Sequence, residues 1–134
     1  MLSDSLDANI IIHGIVGSPS CQREKIWKFL STAGTTHRVF DLAVSEVVYV
    51  LDTFYEQTRR EIAENLTLFF EQLEEYLDYN HTITKMILPF WVEHPSLSFN
   101  DCCLGFYAEF ENVEPIITLD KKLASQHPSA KLLI

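Results

Sequence analysis

Short runs suited to β-strands alternate with longer runs suited to amphipathic helices along the whole chain, and this alternation most limits the folds open to it. Ser3 to Asp7 reads as a first strand and Asn9 to Val16 as a short helix stopped by Gly17, with Ser18-Pro19 opening the next segment. A helix of roughly 13 residues follows, with Ile26, Phe29 and Leu30 on one face and Gly34 as its C-terminal stop. Thr36 to Leu42, rich in β-branched and aromatic residues, predicts a strand. Two stripes at helical spacing come next: Val44, Val47, Val48, Leu51, Phe54 and Tyr55, then Ile62, Leu66, Phe69, Leu73, Tyr76 and Leu77. Both predict core-facing helices. Further on, His81 to Thr84 reads as a brief strand, Lys85 to Glu93 as a helix strained at Pro89, and Ser98 to Asp101 as a capping box with Asp in the Glu position. Cys102 to Phe110 is apolar nearly all round and predicts a buried helix, Ile116 to Leu119 a buried strand, and Lys131 to Ile134 a last strand. Strands spaced by helices imply a parallel sheet flanked on both sides. In such sheets ligands bind at the carboxyl ends of the strands.

Composition narrows the function classes. At 134 residues and 47% hydrophobic, the chain is long enough to bury a sizeable core as one domain. A net charge of -9 argues against a broad basic face, because phosphate neutralisation supplies most non-specific affinity for nucleic acid. Any RNA contact would depend on bound cations and on local bases such as Arg59, Arg60, Lys121 and Lys122. Cys21, Cys102 and Cys103 cannot all pair and two are adjacent, so no disulfide framework is implied and a reducing cytoplasm fits best. The N-terminus carries Asp4 and Asp7 where a signal peptide needs a basic region, and no apolar run approaches a membrane span.

Four acids stand where apolar segments begin or end. Asp7 leads into Asn9-Ile10-Ile11-Ile12, Glu46 opens Val47-Val48-Tyr49-Val50, Asp101 precedes Cys102-Cys103-Leu104, and Asp120 closes Ile116-Ile117-Thr118-Leu119. If they converge, each pair at ~4 Å costs about 4 kcal/mol at an effective dielectric near 20, which a divalent cation would remove.

The stretches Leu6-Asp7-Ala8-Asn9-Ile10-Ile11, Ala43-Val44-Ser45-Glu46-Val47, Phe99-Asn100-Asp101-Cys102-Cys103-Leu104-Gly105 and Ile117-Thr118-Leu119-Asp120 follow one another in an order that resembles the PIN-domain nucleases. The likeness is closest to the VapC-type toxins of toxin-antitoxin pairs. The resemblance implies an α/β, PIN-like fold over residues 1–134 as a single domain, with a central, mostly parallel sheet of four or five strands and helices on both faces. It also implies a Mg²⁺- or Mn²⁺-dependent endoribonuclease with RNA as substrate. Asp7, Glu46, Asp101 and Asp120 are the expected catalytic and metal-binding residues, with Asp7 and Asp101 on the central ion. Asn9 and Thr118 are candidates for orienting them. Expected partners are an antitoxin protein bearing a basic segment, drawn to the acidic cleft, and a second copy of the chain in a homodimer; apolar surface left over from the two stripes would supply the contact.

Other readings stay open. Asp101 can be a helix cap, Asp120 the N-cap of a turn through Lys121 and Lys122, and Glu46 an ordinary acid of a first helical turn. The Lys121-Lys122 pair, where the family often has an acid and an aromatic, leaves room for a PIN-fold binding module with weakened turnover. An unrelated small α/β domain with acids placed by chance is the third reading. Gly14 to Ser18 lacks the Gly-Lys-Ser/Thr of a phosphate loop and predicts a turn. Cys102 and Cys103 read as small buried hydrophobes, the five histidines show no metal-ligand spacing, and Trp27 and Trp91 read as packing residues.

Overall fold

In the computed structural model, which describes residues 2–17 and 20–134, three short strands run side by side in one direction: Asp4–Ser5 (β1), His37–Arg38 (β2) and Leu77–Asp78 (β3), with β2 in the middle. They belong to the first of two compact units, Met1–His81; the second is Thr82–Ile134. The expected start at Ser18-Pro19 lies outside the described residues.

β1 is followed by α1 (Ala8–Val16), whose left-handed stop at Gly17 (φ 77°) sends the Gly17 N–H to the His13 carbonyl. α2 (Ser20–Leu30) ends before Gly34, which sits at φ 81° in the turn beyond. Gly14 is helical rather than part of a turn; its carbonyl accepts from Trp27 Nε1 at 2.8 Å and Arg23 Nε at 3.2 Å, which pins α2 to α1. His37 in β2 is fully buried beneath Phe29 and bonds through Nδ1 to the Asp4 carboxylate of β1. A carboxylate only accepts, so Nδ1 carries the proton.

The predicted strand Thr36 to Leu42 contributes only two residues to the ladder, because the chain turns at Phe40 into α3 (Asp41–Thr53). α4 (Arg59–Gln72) opens on a full capping box: Thr58 Oγ1 accepts from the Glu61 N–H, and the Glu61 carboxylate accepts from the Thr58 N–H, which holds its pKa below the ordinary carboxylate range. Val44, Val47, Val48 and Leu51 of α3 and Ile62, Leu66, Phe69 and Phe70 of α4 are buried. Each such side chain contributes roughly 1.5–3 kcal/mol. Phe54 departs from its expected place in the stripe and is 75% exposed, because α3 ends at Thr53. Leu77 likewise leaves the second stripe: α4 ends at Gln72, and Leu77 enters β3, where the Tyr76 carbonyl accepts from His37 N at 2.8 Å. The strand expected at His81 to Thr84 therefore lies a few residues earlier.

The second unit opens with a π-helical turn, Ile83–Ile87, that runs into α5 (Leu88–Glu93). Pro89 explains the widening. Its ring has no N–H and crowds the carbonyl one turn back, and the wider turn, closed by Leu88 N–H to the Ile83 carbonyl, relieves the clash. α6 (Phe99–Phe110) buries Cys102, Cys103, Phe106 and Ala108 but exposes Leu104 and Phe110 by about half, so it is one-sided rather than buried all round. β4 (Ile116–Thr118), α7 (Lys121–Gln126) and β5 (Ala130–Leu132) form a βαβ unit with parallel strands. β4 is less covered than its sequence predicts: Ile117 is exposed and its neighbours half-buried. The architecture is mixed α/β, with parallel sheets of three and two strands. Among the described residues no helix is long and apolar enough to cross a membrane.

Candidate functional site

Parallel pairing decides where the first unit carries its polar groups. Ser5 pairs with Arg38 and Arg38 with Asp78, so the chain leaves all three strands at one edge. Asp7, Phe40 and Asn80 each stand two residues beyond a strand end.

Asp7 occupies the N-cap position of α1 without capping it. The Ile10 amide goes to the Asp7 backbone carbonyl at 3.1 Å, and among the described residues the exposed carboxylate accepts only from Asn9 Nδ2, at 3.3 Å on Oδ2. An N-cap aspartate normally satisfies the amides two or three residues on. Glu46 is exposed and lies in the second turn of α3, not the first, because the helix already begins at Asp41. Side chains on a helix lean toward its N-terminus, which inclines Glu46 to the edge that carries Asp7.

The second unit holds the other two acids. Asp101 is half-buried in the first turn of α6, and the capping box expected there is half-formed: Ser98 Oγ accepts from the Asp101 N–H at 3.0 Å, with no return bond from the Asp101 carboxylate. Asp120 is a working N-cap of α7, its Oδ1 accepting from Lys122 N at 2.9 Å and Leu123 N at 3.2 Å. Thr118 Oγ1 in turn accepts from the Asp120 N–H at 2.9 Å. Thus Asn9 touches Asp7, and Thr118 touches Asp120. Among the described residues of either unit, no three His, Cys, Asp or Glu side chains are placed to hold a metal ion together.

Two histidines, unremarkable by spacing in the sequence, meet in the second unit. His94 stacks on Phe90 with ring centroids 3.8 Å apart, and His127, 2% exposed, packs on Phe90 at 5.0 Å and Phe106 at 5.3 Å. His127 Nδ1 accepts from Ser129 N, so the neutral ring protonates on Nε2. Burial pushes the His127 pKa down; Glu109 and the Cys102 carbonyl oppose the shift in part, and His94 reinforces it. The unfolded chain takes up that proton near pH 6.5 and the folded chain only at lower pH. The contribution of His127 to stability therefore falls as pH drops below about 6.5. In urea unfolding at pH 7.5 and 5.5, His127→Asn, whose amide oxygen can keep the Ser129 bond, should lose less stability on acidification than the wild type; equal losses would remove His127 from the pH response.

No family model matches the chain, and no curated protein or solved structure matches it.

Proposed function

We propose that the chain is a Mg²⁺- or Mn²⁺-dependent endoribonuclease of PIN-like fold, the toxin of a toxin-antitoxin pair, acting in the cytoplasm. The observation that carries this reading is Asp7: an N-cap carboxylate that makes no capping bond, sits at the strand-end edge of a parallel sheet, and is steadied by Asn9. The proposed metal-binding carboxylates are Asp7 and Glu46 of the first unit and Asp101 and Asp120 of the second, hard oxygens suited to these ions, which bind through a few carboxylates and keep several waters. A divalent ion held by such carboxylates would supply an activated water and neutralise charge in an in-line phosphodiester displacement. The protein's own part is positional. Asn9 fixes one oxygen of Asp7, and Thr118 fixes the backbone of Asp120 so that its Oδ1 is spent on the helix and Oδ2 is not. Lys121 and Lys122, both exposed next to Asp120, supply local positive charge for the RNA backbone on an otherwise acidic chain.

The net charge of -9 suits a basic segment of an antitoxin, and Leu42, Tyr49 and Phe54 at 85%, 67% and 75% exposure give such a partner, or a second copy in a homodimer, apolar surface around α3. A PIN-fold binding module with weakened turnover is the second reading, favoured by Asp120, whose capping bonds account for an aspartate at that position without any metal.

The test is a melting curve with and without Mn²⁺, paired with cleavage of single-stranded RNA. A ligand bound only by the folded state stabilises it by about 2.7 kcal/mol at a hundredfold excess over Kd. A rise in Tm together with cleavage is expected. A rise without cleavage selects the binding module, and a curve indifferent to millimolar Mn²⁺ removes metal binding by these carboxylates.

A further inference from the structure

At the edge where β2 and β3 end, the first unit has a cavity of about 480 Å³, lined by Arg38, Phe40, Asp41, Leu42, Tyr79 and Asn80. Its size falls within the roughly 300–1,000 Å³ of ordinary small-ligand sites. Phe40 is half exposed although aromatic, and the Arg38 guanidinium lies 5.3 Å from its ring centroid, held by a 2.6 Å bond from Nη1 to Asp78 Oδ2. Phe40 and the guanidinium are both groups on which a flat heteroaromatic ring stacks. The polar part is equally ordered: Asn80 Nδ2 donates to Asp41 Oδ2 at 3.1 Å, and Tyr79 is packed on Phe70 with centroids 4.2 Å apart. An aromatic shelf beside a fixed carboxylate-amide pair is a poor site for a phosphate, which Asp41 would repel. It suits an unpaired base.

Position joins this cavity to Asp7. Phe40 stands two residues past Arg38 as Asp7 stands two past Ser5, and those strands are paired in register. Neighbouring strands lie roughly 4.8 Å apart, so Asp7 and the mouth of the cavity adjoin on one edge. We infer that this cavity is a nucleobase subsite: an unpaired base of the RNA next to the cut stacks on Phe40, and Asp41 accepts a hydrogen bond from its exocyclic amino group. An ionised carboxylate only accepts, so where it faces the exocyclic group it favours the amino group of adenine, cytosine or guanine over the carbonyl oxygens that flank the single ring donor, N3–H, of uracil. The inference rests on the ribonuclease reading for the identity of the ligand, and its geometry lies wholly within the first unit.

The experiment is fluorescence anisotropy of labelled single-stranded oligoribonucleotides, oligo-A and oligo-U of equal length, with millimolar Ca²⁺ in place of Mg²⁺ and Mn²⁺ so that charge is still neutralised without cleavage. The wild type should bind oligo-A more tightly than oligo-U; Phe40→Ala should weaken oligo-A binding tenfold or more, and Asp41→Asn should shrink the A-over-U preference. An unchanged Tm for Phe40→Ala would show that the loss is not unfolding. If both variants bind both oligomers as the wild type does, the subsite is overturned even where the wild type cleaves RNA with Mn²⁺. If Phe40-dependent, adenine-preferring binding persists in a protein that never cleaves, the ribonuclease reading fails and the subsite stands. An arginine-rich peptide bound through Phe40, with RNA binding unaffected by the substitution, would assign the cavity to a protein partner and overturn the inference.

Discussion

Gly105→Ala should be the most destabilising single-methyl change in the second unit. Gly105 is buried in α6, and a Cβ there would fall within the imidazole of His127. The ring has nowhere to retreat: it is 2% exposed, lies against Phe90 and Phe106, and its Nδ1 receives the Ser129 N–H. Overpacking of this kind costs about 3 kcal/mol or more where backbone must move, against which alanine recovers about 1 kcal/mol of helix propensity over glycine. The net loss should lower Tm by roughly 8 °C or more for a chain of this size. Gly34→Ala is the control, since its added methyl meets nothing within 4 Å and only the positive φ of 81° opposes it, at about 1 kcal/mol. Pairing Gly105→Ala with His127→Ala should recover part of the loss, because the second change vacates the space the first one needs. Equal melting of Gly105→Ala and wild type would contradict this packing.

That contact also marks where the sequence stops being legible. The two stripes could be read because helix burial repeats locally: Val44, Val47, Val48 and Leu51, then Ile62, Leu66 and Phe69, lie at helical spacing and are buried. The order of elements followed from the same local signals. Leu77 fits a helical stripe and a strand equally well, so periodicity could not show that α4 ends at Gln72 and that a backbone bond from His37 draws the next residues into β3. Pro89 signalled strain, but whether a proline kinks a helix or widens it into a π-turn depends on the packing around it. The capping box Thr58-Arg59-Arg60-Glu61 carries the Thr-x-x-Glu signature in the sequence itself. Of the site, the junction positions of Asp7, Asp101 and Asp120 were visible, as was the Asp-x-Asn pairing. Which aspartates spend their oxygens on helix amides was not: Asp7 and Asp120 look alike in sequence, and only Asp120 caps. The encounter of His94 and His127 on Phe90 is tertiary, with no trace in spacing.

The difference between Asp7 and Asp120 sets up the second large effect. Asp7→Asn should reduce Mn²⁺-dependent RNA cleavage at least about a hundredfold, since losing even a supporting group typically costs a metal site 10–100-fold. Without metal, the same variant should melt within about 0.5 kcal/mol of the wild type: the lost carboxylate is exposed, makes no capping bond, and asparagine suits an N-cap as well as aspartate. Any Tm increase produced by Mn²⁺ should shrink sharply. Alanine separates the two aspartates further. Asp120→Ala removes the acceptor of two amides and should cost about 1 kcal/mol without metal, whereas Asp7→Ala removes no such bond and should cost much less. If the ribonuclease reading holds, the wild type should arrest growth when produced without a partner, and Asp7→Asn should be harmless at equal abundance. Loss of activity and of metal-free stability together would make Asp7 a structural residue. A harmless wild type that also leaves RNA intact with Mn²⁺ would transfer the weight to the binding-module reading.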